Sequence, residues 1–238
     1  MAETSTLSVH KTKRRKKSSG DVETMRIALI GMSGCGKTHW SRVFAKQGFR
    51  HFCCDDLITR KLSPVLKRPD GSIMELGEWM GFPYENHYED REAQYLAHEI
   101  DVLTEILAYL EGRRQSREED VVVDTTGSVI YAGDNILERL RQNTIVVPLE
   151  TPPRVRELML QKYLINRRPV LWRGLFMKKN EETEKEALAR CYPALLSARE
   201  RQYARHAHLT IAYPIHTQKG MTFSDFMHIV NAVRPARG

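Results

Sequence analysis

Eight residues near the start of the chain, Gly31-Met32-Ser33-Gly34-Cys35-Gly36-Lys37-Thr38, limit its fold more than any others. They fit the pattern G-x-x-x-x-G-K-[ST] between a nearly all-apolar strand, Met25 to Ile30, and a helical stretch, Lys37 to Lys46. Glycines at 31, 34 and 36 let the backbone wrap closely, so that successive N–H groups point inward at phosphate oxygens beside a helix N-terminus. Lys37 would reach the β- and γ-phosphates, and the Thr38 hydroxyl would coordinate magnesium. Gly31, Met32, Ser33, Gly34, Cys35, Gly36, Lys37 and Thr38 are therefore the expected binding loop for ATP with Mg2+.

From Met25 onward, short β-rich runs alternate with helical segments. Phe49 to Cys54, Val121 to Val123, Thr144 to Leu149 and His208 to Tyr213 read as further strands. Glu85 to Glu111, Asp134 to Arg141, Pro152 to Leu164, Glu181 to His206 and Thr222 to Val233 read as helices, with Pro193 expected to kink or divide the fourth of these. Strands buried on both faces and alternating with helices argue for one α/β layer sandwich around a parallel sheet. Neither a linker nor an internal repeat interrupts residues 25–238.

The 238 residues carry a formal charge of +7, which invites a nucleic-acid reading. Its distribution argues otherwise. Residues 1–24 are poor in large apolar side chains and hold the run Lys11 to Lys17, so they are expected to form a disordered basic tail. A second concentration, Arg154, Arg156, Lys162, Arg167, Arg168, Arg173, Lys178 and Lys179 against Glu157, lies on the segment that reaches the irregular stretch 166–180. Outside these two regions the chain is net acidic. No stretch is long and apolar enough to span a membrane, and four cysteines do not make a disulfide scaffold at this length. A cytoplasmic protein, monomeric or weakly dimeric, is expected, with nuclear or organellar targeting by the tail left open. Along the sequence no His and Cys metal cluster and no serine hydrolase elbow stands out.

Asp124 ends the Val121-Val122-Val123 strand, where open α/β sheets bind ligands, and is the expected carboxylate partner of Thr38 toward magnesium; a turn cap is its alternative role. Asp55 and Asp56 end the second strand; one could accept a hydroxyl proton, or both could cap a helix. The arginine-rich stretch, about 164–180, is expected to be a mobile lid whose Arg168, with Arg167, neutralises phosphoryl charge while closure excludes water.

These pieces resemble the shikimate kinase family, small P-loop kinases related in fold to nucleoside monophosphate kinases. The likeness spans about residues 25–233. His51-Phe52-Cys53-Cys54-Asp55-Asp56-Leu57-Ile58 is similar to the family's F-x-D-x-D-x-x-I, which places Asp55 at the aspartate that binds and orients substrate. Arg168-Pro169-Val170-Leu171 is similar to the lid's R-P-L-L, and Leu195 to Ala207 to the helix whose arginine, here Arg199, binds substrate carboxylate. The resemblance implies a five-stranded parallel sheet in order 2-3-1-4-5, a helical substrate region at about 56–112, and Gly127 at the substrate in place of one glycine of a triplet.

Three positions depart from the family. Cys53 replaces a carboxylate associated with magnesium, Thr126-Gly127-Ser128 replaces the glycine triplet, and Glu89 stands where the family has a carboxylate-binding arginine, unless the neighbouring Arg91 substitutes. The expected activity is phosphoryl transfer from ATP to a hydroxyl of a small anionic metabolite. Lys37, Asp55 and Arg168 are its catalytic candidates, and Asp55, Gly127 and Arg199 its substrate contacts. A nucleotide-binding regulatory or scaffold protein that lost the metabolite site, and a polynucleotide kinase, are the alternatives.

Overall fold

The structure, a computed structural model, describes residues 24–112 and 119–233. All but Thr24 of the tail expected at 1–24 lies outside the described residues. Four strands form one parallel sheet: β1 (Arg26–Ile30), β2 (Arg50–Cys53), β3 (Val121–Asp124) and β4 (Ile145–Pro148), in the order β2-β3-β1-β4. The inner strands are apolar throughout because both faces are covered. Ile27, Ala28 and Leu29 of β1 and Val122 and Val123 of β3 are fully buried.

The helices are α1 (Lys37–Lys46), α2 (Cys54–Leu66), α3 (Leu76–Met80), α4 (Tyr88–Gly112), α5 (Asp134–Asn143), α6 (Pro153–Ile165), α7 (Glu184–His206), α8 (Tyr213–His216) and α9 (Phe223–Asn231). Helix α1 packs on β2 and β3, α5 and α7 meet β4, and α2 lies along α4. Pro193 does not divide α7. The helix has ample packing to offset one missing hydrogen bond, with Leu188, Tyr192, Leu195 and Leu196 buried on either side of the proline.

The expected fifth strand is reduced to a single bridge, Leu149 to Ile211, so the sheet has four strands rather than five. The outer edge of β4 explains this. Pro148 has no N–H to donate, and the Val146 N–H is taken by the His208 imidazole at 3.0 Å. What remains are backbone bonds from His208 to Val146, from Ile211 to Pro148 and from Glu150 to Ile211. The chain follows the sheet edge without forming a regular ladder.

Candidate functional site

The parallel register brings the carboxyl ends of β1, β2 and β3 to one end of the sheet, where a cavity of about 530 Å³ opens. The loop between β1 and α1 forms its floor. Gly31, Gly34 and Gly36 hold φ values of 136°, 80° and 108°, conformations that admit glycine readily. Lys37 is buried, and its Nζ donates to the carbonyls of Gly31 and Met32 at 2.9 Å each, so the ammonium is held against its own loop. Thr38 lines the cavity one residue further on.

Asp55 stands in the first turn of α2, where the helix dipole favours a carboxylate, and faces the cavity. Desolvation in the cavity raises its carboxyl above the usual range although the residue stays open to solvent, while the Lys37 charge and a hydrogen bond from Tyr95 Oη at 3.4 Å work the other way. Gly127 and Arg199 form the opposite wall. Arg199 is buried, donates from Nη2 to the Leu171 carbonyl at 2.7 Å, and lies over the Tyr131 ring. Its Nε has no partner among the described residues. Tyr203, one turn along α7, donates to the Gly127 carbonyl.

The lid supplies the roof. Arg168 Nη1 reaches Ser33 Oγ of the phosphate loop at 3.3 Å. The lid is irregular, as expected, yet it is not a free flap. Val170, Leu171 and Trp172 are buried, and Glu92 of α4 accepts from the backbone N–H groups of both Trp172 and Arg173. Tyr88 donates to the Val170 carbonyl at 2.7 Å. The irregular, arginine-rich sequence pointed to a mobile lid; the apolar Val170-Leu171-Trp172 within it is what anchors it.

Two groups that sequence reasoning missed sit beside Asp55. Tyr95 is one, and Glu99, fully buried one turn later on α4, is the other. Glu99 accepts from the Thr126 hydroxyl and from Ser128 Oγ, the latter at 2.7 Å, so it holds both neighbours of Gly127. Burial pushes its carboxyl up to about 7, against the two hydroxyl bonds that favour the charged form. The signal was a carboxylate on the apolar stripe of α4, in register with Tyr88, Tyr95 and Val102.

Asp124 is buried but is not among the residues lining the cavity. Its Oδ2 accepts from Ser41 Oγ at 3.1 Å and lies 4.0 Å from His51 Nε2. Cys53, its register partner on β2, carries a thiol that burial pushes up to about 12. Glu89 is exposed on α4, and Arg91 donates to the Trp79 carbonyl; neither lines the cavity. Arg91 therefore does not substitute for the missing arginine.

The loop fits the phosphates of ATP, since Lys37 and the glycine-shaped backbone face one cavity with Thr38. Thr38 also fits Mg2+, which takes few protein oxygens and keeps much of its water.

Comparison with known proteins shows what the chain resembles. No family model matches the chain. A shikimate kinase from Clostridium botulinum (strain Eklund 17B / Type B) is 28% identical over 150 residues, 63% of this chain and 72% of that protein. The shikimate kinase from Acinetobacter baumannii, solved in complex with shikimate, has a TM-score of 0.53 at 23% identity, covering 89% of this chain and 92% of its own. The chain is shikimate kinase-like. The enzyme of that name from Bacteroides thetaiotaomicron gives a TM-score of 0.56 at 18% identity, over 89% and 99% of the two chains. The phosphate loop, Asp55, the lid, the loop around Gly127 and Arg199 line one cavity, whereas Cys53 and Glu89 do not line it.

Proposed function

We propose that the protein is an ATP- and Mg2+-dependent kinase that phosphorylates a hydroxyl of a small anionic metabolite. The observation that carries this reading is the convergence of Lys37, Thr38, Asp55, Gly127, Arg168 and Arg199 on one cavity. Asp55 takes the proton of the acceptor hydroxyl, whose oxygen attacks the γ-phosphorus as the bond to the β–γ bridging oxygen breaks and ADP leaves. A carboxyl raised by its surroundings is a better base than an ordinary one. Lys37 and Arg168 offset charge on the transferred group, and the anchored lid keeps water out. Thr38, with Asp124, would hold the Mg2+ that accompanies ATP, and the ion would neutralise phosphate charge when bound.

Arg199 is a cation available to an anionic acceptor, with Gly127 beside it. The exposed position of Glu89 and the engagement of Arg91 leave the acceptor half with less positive charge than the resemblance implies. Acceptors other than shikimate therefore belong in any screen.

Coupled ADP release with shikimate, gluconate, other sugar acids and nucleoside monophosphates tests the proposal. One acceptor should stimulate ADP release, Lys37→Met should abolish the stimulation, and Asp55→Asn should lower kcat by about 10²–10⁴. Tight nucleotide binding with no stimulated turnover would instead favour a regulatory nucleotide-binding protein, the reading that the displaced Glu89 supports.

A further inference from the structure

The cation chemistry beside the phosphate loop differs from what oxygen ligands alone provide. Strand periodicity puts His51 and Cys53 on the same side of β2, and the β2–β3 register pairs Cys53 with Asp124. One donor atom from each, an imidazole nitrogen, a thiol sulfur and a carboxylate oxygen, lies within 4.8 Å of the others. The three come from two strands some 70 residues apart, which is why no metal spacing is visible along the chain.

Two observations show that this trio is incomplete by itself. His51 Nε2 is buried and has no hydrogen-bond partner among the described residues. Asp124 is a buried carboxylate whose Oδ2 accepts from Ser41 Oγ at 3.1 Å and lies 4.0 Å from that same imidazole, which burial favours in its neutral form. A buried carboxylate held by a single hydroxyl and an imidazole nitrogen without a hydrogen-bond partner among the described residues each carry a desolvation cost, and a cation between them would relieve both.

We propose that His51, Cys53 and Asp124 bind a borderline-soft divalent cation of the Zn2+ and Co2+ class, distinct from the Mg2+ that accompanies the nucleotide. Magnesium demands oxygen ligands, whereas a mixed nitrogen, sulfur and oxygen set selects later transition metals. Three protein ligands with an open fourth position is the arrangement of accessible rather than purely structural zinc. Bonds of about 2.0–2.3 Å imply donor separations near 3.5 Å in a tetrahedral site, so the trio must draw in by roughly 1 Å, within reach of side-chain torsion. A carboxylate has two oxygens. Direct ligation of this cation by Asp124 is therefore compatible with a role toward magnesium.

Co2+ titration of the chelator-stripped, reduced full chain tests the site without nucleotide or acceptor, so its outcome is separate from that of the kinase assay. A thiolate-to-cobalt charge-transfer band in the near ultraviolet should grow to saturation at about one equivalent, and Zn2+ should displace it while excess Mg2+ should not. Cys53→Ser should abolish the band, Cys54→Ser should keep it, and His51→Gln should weaken Co2+ binding more than about tenfold. Should Cys53→Ser fail to fold by circular dichroism, the His51→Gln affinity decides. Absence of the band, its survival in folded Cys53→Ser, or unchanged affinity in His51→Gln would overturn the proposal.

Discussion

Glu99 shows how one side chain can join stability to site geometry. Both of its oxygens are held by the hydroxyls flanking Gly127, yet no charged partner lies within ion-pair distance among the described residues. A carboxyl raised to about 7 on folding holds its proton more tightly in the native state than in the unfolded chain. Its contribution to stability is thus intact below about 4.5 and is lost as pH rises toward 7. Glu99→Gln should remove this dependence. In urea denaturation the two proteins should match near pH 4, and the variant should be the more stable above pH 7 by up to about 3 kcal/mol. Parallel pH profiles would disprove the assignment. Carboxylates at positions 92 and 99 interrupt the buried stripe that runs from Tyr88 through Tyr95 to Val102 and Ile106, a signal that the sequence carried and that went unread for Glu99. Their partners were not legible. Thr126, Ser128 and the lid backbone are distant in sequence, and only the fold brings them to α4.

Among the elements, the phosphate loop and α1 were fully readable, because glycine conformations and a lysine opening a helix are local signals. The substrate side was less so. Helix α2 begins at Cys54 and runs through Pro64 with Cys54, Ile58, Leu62 and Leu66 buried along one face, and α3 is a single short turn; both pack on α4. Helix α3 matters because the lid rests on it. A Cβ placed on Gly77 would fall 2.1 Å from the Arg167 carbonyl oxygen and 2.6 Å from the Arg168 Cα, so this position admits no side chain while the lid is seated. Gly77→Ala should push the lid away from Ser33, with a cost of about 1–3 kcal/mol in overpacking. Faster tryptic cleavage at Arg167 and Arg173, with an intact phosphate loop by nucleotide binding, is the expected readout. Cleavage no faster than in the parent would show that α3 yields instead.

Across the whole molecule, the last helix stitches the chain's end to the phosphate-loop helix. Phe226 of α9 is fully buried against Trp40 and Phe44 of α1, and Trp40 Nε1 donates to the His216 carbonyl at 3.1 Å. Phe226→Ala should cost about 3–5 kcal/mol in chemical denaturation, with nucleotide affinity per folded molecule little changed. A collapse of affinity in the folded fraction would mean that α9 shapes the loop itself. The parallel α/β plan was legible from alternating apolar runs. The shortfall of one strand was not, because it depends on Pro148 lacking a donor and on His208 occupying the Val146 N–H. That same edge has a further consequence. The segment 208–211 shields the backbone of β4 from other chains, and a protein ending before His208 would present bare carbonyls and a free N–H along an apolar strand. Such a truncated chain should self-associate edge to edge, gaining thioflavin-type fluorescence and losing solubility while the parent stays dispersed.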